Sequence, residues 1–268
     1  MREHRCFWRI ILAVFLALVL REWFAMAHGQ RDWSNIGAEE VVHGLADMAE
    51  LAARLGSVVT HNREGNVVFL EGFEHGLQPW NATISGAGAE VLVSNRIYRS
   101  GGYACKLVGG SDAGQQAYIF RRFPYPVLGR YGLELSWFPG SNIWLFGLML
   151  SRMDGDTEHQ FYVLYDDVAH ELLVTLPGGS SAAFASDVDL TFGYWPMHTM
   201  KLVVDLNTDR YVRFILNETE YDLSAYSANT FANPDQPHLG VKAILYSTAG
   251  FNADCWVDDI ILTQNEPP

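Results

Sequence analysis

From Asn66 to the end of the chain, short apolar or alternating runs are separated by turn residues, and this pattern restricts the fold most. The turns carry pairs such as Asp154-Gly155 and Asn233-Pro234. Many short strands with turns between them and no helical periodicity are typical of an antiparallel β-sandwich. The predicted strands are Val67–Leu70, Glu90–Val93, Tyr103–Val108, Gln116–Phe120, Gly132–Phe138, Ile143–Ser151, His159–Tyr165, Glu171–Thr175, Thr199–Leu206, Tyr211–Leu216, His238–Tyr246 and Cys255–Thr263.

Alternation within these runs predicts which side chains face the core, because successive side chains of a strand point to opposite faces. The predicted inward residues are Leu133, Leu135, Trp137, Met200, Leu202, Val204 and Leu206. Lys201 and Asp205 then point outward. The run from Ile143 to Leu150 is apolar on both faces, which indicates a central strand or an aromatic surface.

The first 27 residues have the pattern of a secretory signal. Three arginines precede eleven apolar residues, Ile10 to Leu20, and the small residues Ala25 and Ala27 follow. Eleven residues are fewer than the ~20 that span a bilayer, so we predict a cleaved signal peptide over 1–27. An uncleaved anchor extended through Trp23 and Phe24, or a misassigned start codon, are the alternatives. We expect a secreted or cell-surface protein that has no membrane partner after cleavage.

Charge and cysteine content agree with this expectation. Removal of 1–27, which holds four Arg and two Glu, takes the net charge from −13 to −15. A chain this acidic is repelled by phosphates, which argues against a nucleic-acid partner. Outside the leader, Cys105 and Cys255 form an even pair, and in an exported chain this favours a disulfide. Two buried free thiols are the alternative.

Residues 28–65 form a separate N-terminal segment that contains one predicted amphipathic helix. Its apolar residues recur at spacings of three and four between Ile36 and Gly56, with Ser34 as the cap. The apolar stripe needs a cover, which is either the sandwich itself or a second copy of the chain bound through residues 36–56. The sandwich domain is predicted over 66–268.

Four sequence stretches resemble conserved stretches of jelly-roll carbohydrate-binding modules and of concanavalin A-like and laminin-G-like sandwiches. They are Phe73–Gly76 with Trp80, Arg99–Leu107, Tyr194–Asn217 and Trp256–Leu262. The departure is Glu218, which follows Asn217 where the family pattern has Gly. The resemblance implies an all-β antiparallel jelly-roll sandwich, preceded here by the signal peptide and the short helix.

The same resemblance implies that the first and last strands lie side by side with a structural calcium ion between them. It would place Glu74 and Asp258, or Asp259, as carboxylate ligands. Ca²⁺ takes six to eight oxygen ligands and accepts backbone carbonyls, so the chemistry is consistent. The alternative is that both aspartates are solvated at a strand end.

Catalytic patterns are missing from the sequence. Retaining glycosidases of this fold carry paired carboxylates on one strand, and no such string is present apart from Asp187-Val188-Asp189 in a predicted loop. Gln160 and Tyr162 share a spacing with lyase sites, but the Arg-rich partner strand is absent. The chain also has no nucleophile elbow, zinc-binding helix motif or phosphate loop. We therefore predict a protein that is not an enzyme.

The predicted site is a surface of outward aromatic and polar side chains, which suits a sugar because its C–H faces stack and its hydroxyls bind polar groups. Its residues are Glu134, Trp144, Phe146, Gln160, Tyr162, Lys242 and Tyr246. The helix, loops or another subunit could instead cover these side chains. The predicted partner is a glycan or polysaccharide. The alternatives are a surface or virion-associated structural protein assembled through its helix, and a divergent polysaccharide lyase or glycoside hydrolase.

Overall fold

Sixteen antiparallel strands and no helix form the part of the chain that the computed structural model describes, residues 64–190 and 197–268. The strands are β1 Asn66–Glu71, β2 Asn81–Ile84, β3 Glu90–Ser94, β4 Ala104–Val108, β5 Gln116–Phe123, β6 Arg130–Pro139, β7 Ile143–Met153, β8 Thr157–Asp166, β9 Glu171–Thr175, β10 Ser181–Ala185, β11 His198–Asp205, β12 Arg210–Leu216, β13 Thr219–Asp222, β14 Asn229–Ala232, β15 His238–Ser247 and β16 Asp254–Gln264. All twelve predicted strands are confirmed. The four further strands β2, β10, β13 and β14 show no clear sequence pattern, because they are four or five residues long and largely exposed.

The strands form two sheets that pack face to face. The first sheet has the order β13-β12-β11-β6-β16-β4-β3, and β1 also pairs with β16. The second sheet has the order β10-β9-β8-β7-β15-β5-β2, and β14 also pairs with β8. Strands distant in sequence lie side by side in both sheets, as in a jelly roll. The all-β antiparallel sandwich is therefore confirmed.

The core lies between the sheets and contains the inward residues that alternation predicted. Leu133, Leu135 and Trp137 of β6 and the alternate residues of β11 from Met200 to Leu206 are all buried there. The Trp137 indole stacks on the Phe146 ring from the second sheet, with ring centroids 4.2 Å apart. These contacts remove the apolar faces of both sheets from water, which supplies the main driving force for folding.

The outer face of the first sheet carries a buried ionic cluster. Lys201 was predicted to point outward and does so, but it is buried because the C-terminal residues cover it. Its Nζ lies 2.7 Å from Oε1 of Glu266, and the second oxygen of Glu266 lies 3.3 Å from Arg213. Thr263 also donates to Glu266. The chain end is thereby fixed to the sheet.

The first and last strands pair as the family resemblance implied: β1 runs antiparallel to β16, with Asn66 opposite Gln264. Strand β16 also pairs with β4, so the strands of Cys255 and Cys105 are neighbours. Both cysteines are nevertheless free thiols, fully buried in the core. Cys105 is opposite Val257 and Cys255 is opposite Leu107, so the two are diagonal neighbours. Diagonal positions lie ~7–8 Å apart, beyond the Cα separation that a disulfide accepts.

The predicted signal peptide at 1–27 and the predicted helix at 36–56 lie outside the described residues. Within the described ranges, the chain contains no helix with the length and apolar character needed to cross a membrane.

Candidate ligand-binding groove

A groove of about 280 Å³ lies on the outer face of the second sheet. Strands β5, β7, β8 and β15 and the segment after β14 form it. Its lining residues are Tyr118, Phe120, Arg122, Met149, Met153, Glu158, Gln160, Asn233, Asp235, His238 and Lys242. Aromatic, amide, carboxylate and cationic side chains thus meet in one depression.

Strand β5 supplies the aromatic side of the groove. Ala117 and Ile119 face the core, so the alternate residues Tyr118 and Phe120 face outward. The Phe120 ring packs over Gly240 of the neighbouring strand β15. A Cβ atom at position 240 would come within 2.8 Å of this ring. A glycine is needed here because any side chain would displace the ring. The result is an aromatic surface that is half-buried at the edge of the groove.

Lys242 on β15 lies against these rings. Its Nζ is 4.8 Å from the centroid of the Tyr118 ring and 5.9 Å from that of Phe120. Ammonium groups at such distances are attracted by the negative face of the ring. The aromatic side of the groove therefore also carries a positive charge.

Glu158, Gln160 and Asn233 form the polar side of the groove. Gln160 Nε2 donates to Glu158 Oε1 at 2.9 Å, and Asn233 Nδ2 donates to Glu158 Oε2 at 2.7 Å. The carboxylate thus orients both amides, whose carbonyl oxygens and second N–H groups are available for other partners. Such an arrangement can exchange hydrogen bonds with hydroxyl groups.

An ion pair and a buried histidine complete the rim. Arg122 binds Asp235 at 2.7 Å, and the arginine side chain is half exposed. The Nδ1 of His238 lies 2.7 Å from the carbonyl oxygen of Gln236, so this nitrogen carries the proton in the neutral ring. The Phe120 ring meets His238 edge-on, with centroids 6.3 Å apart. These contacts hold the segment 235–238 against the groove.

The floor of the groove is apolar. Met149 and Met153 of β7 are buried below it although they lie on the outer face of the sheet. Methionine adapts its shape easily to a bound surface.

Gln160 and Lys242, two of the seven predicted site residues, line this groove. Tyr162 and Tyr246 lie farther along the same face, where their hydroxyl oxygens are 3.4 Å apart. The Tyr162 ring lies over Gly147, where a Cβ atom would come within 2.4 Å of it. Burial, and secondarily the hydroxyl of Tyr246, raises the pKa of Tyr162 well above its ordinary value.

The predicted outward position of Phe146 is wrong, because β7 contains a bulge at its start. Tyr246 is opposite Leu145, but the next residue, Ser247, is opposite Ile143, so Trp144 is the extra residue. A bulge shifts the alternation by one. Ile143 and Phe146 therefore both face the core, while Leu145 and Met149 face outward, although the outward position predicted for Trp144 and Phe146 would have required Leu145 and Met149 to face inward. Trp144 is 38% exposed and lies beside Gly114, outside the groove.

Glu134 was assigned to the same surface as Gln160, and this is also wrong. Strand β6 belongs to the first sheet, so the outer face that carries Glu134 is on the opposite side of the sandwich. Glu134 is directly opposite Lys201 on β11, and both are buried. Alternation distinguishes inward from outward, but it cannot tell which of two sheets a strand joins.

The predicted calcium ligands hold the loop before β4. Glu74 Oε1 accepts N–H donors from Gly102 at 2.7 Å and Tyr103 at 3.0 Å. Asp258 Oδ2 accepts those of Arg99 at 2.8 Å and Ser100 at 3.2 Å. Both carboxylates thus fix residues 99–103 through backbone amides.

These residues as placed do not fit a calcium ion. Ca²⁺ needs six to eight oxygen ligands, whereas the two aspartates here face N–H and hydroxyl donors. Ser100 donates to Asp259, and the Arg99 guanidinium lies 3.9 Å from the same carboxylate. Over 64–190 and 197–268, no three His, Cys, Asp or Glu side chains converge on a point that could hold a metal. Burial, then the neighbouring Asp259 carboxylate, raises the pKa of Asp258 to about 7.

Most of the groove-lining residues are not among the predicted site residues. Strand β5 gave a usable signal, because Tyr118, Phe120 and Arg122 alternate with Ala117 and Ile119. Asn233 and Asp235 lie in a segment that was predicted only as a turn. Their place in the groove depends on the pairing of β14 with β8, which no local pattern reveals.

Comparison with known proteins identifies the fold. No family model matches the chain, and no curated protein resembles it significantly. A Bacillus subtilis protein of unknown function with a galectin-like fold matches with a TM-score of 0.50 and 12% identity, over 75% of this chain and 97% of that one. The cellulose-induced protein Cip1 matches at 0.46 and 13%, over 73% and 96%. A family 16 carbohydrate-binding module matches at 0.35 and 16%, over 74% and 100%. At such identities the likeness concerns the fold alone, and it agrees with the antiparallel two-sheet jelly-roll sandwich described above.

Proposed function

We propose that this chain is an exported, non-catalytic saccharide-binding protein and that the groove on the second sheet is its binding site. The proposal rests mainly on one observation, that an aromatic wall and a polar wall lie on opposite sides of the groove. Tyr118 and Phe120 offer ring surface on one side, and Gln160 and Asn233 offer oriented amides on the other. A sugar presents both an apolar C–H face and a ring of hydroxyls, so these walls complement it.

The size and floor of the groove support the same ligand class. A volume of about 280 Å³ is near the lower end of the ~300–1,000 Å³ that small-ligand sites occupy. Met149 and Met153 lie beneath the groove, so its floor carries no charged group. Because the groove is open, it suits a short stretch of a glycan chain better than a small molecule that must be fully enclosed.

Binding without catalysis is supported by the state of the acidic groups. Glu158 accepts hydrogen bonds from two amides, and Asp235 is paired with Arg122. Tyr162 holds its proton tightly because burial raises its pKa, so it is a poor base. Action outside the cytoplasm rests on the signal pattern at 1–27.

A glycan array probed with the purified protein tests this proposal. We expect retained glycans, and we expect Tyr118→Ala and Gln160→Ala each to weaken their binding about tenfold or more, since each removes one wall. Tyr125→Ala is the matched control, because Tyr125 is 43% exposed and lies outside the groove.

Two results would count against the proposal. An array on which no glycan is retained would remove its basis, as would equal binding by the groove variants and the Tyr125 variant. Release of reducing ends from a bound polysaccharide would favour the hydrolase or lyase alternative instead.

A further inference from the structure

The groove contains a lysine with no counter-ion. The chain has three lysines, and two of them are paired: Lys106 lies 2.9 Å from Asp254, and Lys201 lies 2.7 Å from Glu266. Within 64–190 and 197–268, Lys242 forms no ion pair and no hydrogen bond, and its Nζ lies over the rings of Tyr118 and Phe120. The chain carries a net charge of −13, so carboxylates outnumber cations, yet none is paired with this lysine within the described residues.

The surroundings make an unpaired ammonium costly. Lys242 is half-buried, and Phe120, Tyr118 and Met149 surround its position on the sheet. Partial removal of a charge from water is unfavourable unless another charge or several hydrogen bonds compensate. Contact with the two aromatic rings offsets only part of this desolvation cost. A bound anion would supply the remainder.

The acidic groups of the groove lie away from this lysine. Glu158 is two strands across the sheet and four residues along from Lys242, which places their Cα atoms roughly 16 Å apart by standard sheet spacings. Asp235 is neutralised by Arg122. The groove therefore has a positive end at Lys242 and an acidic end, with its amides, at Glu158.

We infer that the groove selects anionic saccharides, with a carboxylate or sulfate of the sugar at Lys242 and its hydroxyls towards Glu158, Gln160 and Asn233. The inference rests on the proposed saccharide-binding function and names its ligand class. Lysine acts as a point charge, so it serves a uronate and a sulfate ester alike. An ammonium against an anion gives a charge-assisted hydrogen bond, which is stronger than one between neutral groups.

The test compares oligouronates, sulfated oligosaccharides and neutral oligosaccharides of matched length by titration calorimetry. Wild-type protein should bind at least one anionic class about tenfold more tightly than the neutral one. The preference should shrink as salt rises, because ions screen the attraction.

Three variants assign the preference to one side chain. Lys242→Met keeps most of the stem but removes the charge, so anionic sugars should lose far more affinity than neutral sugars and the preference should disappear. Lys242→Arg should retain it. Lys106→Met, on the first sheet, is the matched lysine control and should also retain it.

The outcomes separate this inference from the function it rests on. Tighter binding of uronates or of sulfated sugars supports the inference and identifies the source of the anion. Equal binding of neutral and anionic sugars, or a preference that survives in Lys242→Met, overturns it and leaves saccharide binding intact. Failure of all three classes to bind contradicts the proposed function itself.

Discussion

The indole of Trp137 and the ring of Phe146 stack across the two sheets with centroids 4.2 Å apart and planes 5° apart. Trp137 comes from β6 in the first sheet and Phe146 from β7 in the second. With Phe146 inward, Gly147 and Met149 must face outward, since β7 is regular beyond its bulge. This core contact therefore determines which residues of β7 form the floor of the groove.

Phe146→Ala should lower the free energy of unfolding by about 3–5 kcal/mol, because it removes a fully buried ring and leaves a cavity. Trp144→Ala, two residues away but 38% exposed, should cost about 1 kcal/mol or less. Urea denaturation measures both. If the two variants lose similar stability, the bulge that places Trp144 outside and Phe146 inside is misassigned.

Glu266→Ala should destabilise the sandwich by about 3 kcal/mol or more, since it leaves the buried ammonium of Lys201 without its partner. Adding Lys201→Met to Glu266→Ala should recover part of this loss, because the ammonium that Glu266 neutralises is then removed as well. Chemical denaturation of the single and double variants gives the coupling free energy. Glu218→Ala, an exposed glutamate, is the control. A cost for Glu266→Ala no larger than that of the control would contradict the buried cluster.

Asp258 should make stability depend on pH. Its pKa is raised from 3.8 to about 7, so the folded state holds the proton more tightly than the unfolded state between those values. Stability is then lost as pH rises from about 4 to about 7 and becomes constant above that range. The stability of wild type relative to Asp258→Asn should fall over this window, whereas Asp187→Asn, at an exposed aspartate, should show no such trend. A constant or rising difference would disprove the raised pKa.

Cys105 and Cys255 should behave as protected thiols. Burial raises the pKa of both, and only the thiolate reacts with a disulfide reagent. In a Cys6→Ser background, the folded protein should give almost no reaction with such a reagent, and the unfolded protein without reductant should give two thiols. Absence of reaction after unfolding would show that the two cysteines are joined.

Local patterns predicted the strands and the inward faces of regular strands such as β6 and β11. They failed where geometry depends on distant residues. The bulge at Trp144 is visible only in the pairing of β7 with β15, and it reversed the predicted face of Phe146. Glu134 and Gln160 both point outward, but from opposite sheets, and strand order is not encoded in alternation.

The groove was predictable only in part, because alternation predicts the faces of regular strands but not which distant residues meet. Gln160 and Lys242 follow from alternation alone, because β8 and β15 are regular. The contribution of Asn233 requires the β14–β8 pairing, and that of Phe120 requires Gly240 on a neighbouring strand. The first and last strands paired as expected, but their acidic residues hold a backbone loop through amide groups, which the sequence motifs could not distinguish from metal binding.

Mapping of amide chemical shifts during titration with a glycan retained on the array tests saccharide binding at the groove most directly. We predict that the perturbed amides cluster on β5, β7, β8 and β15 around Phe120, Met149, Gln160 and Lys242, and that Tyr118→Ala raises the glycan concentration needed for the perturbation about tenfold or more. Perturbed amides confined to the first sheet or to the Trp144 end, or no perturbation at saturating glycan, would contradict the assignment of this groove.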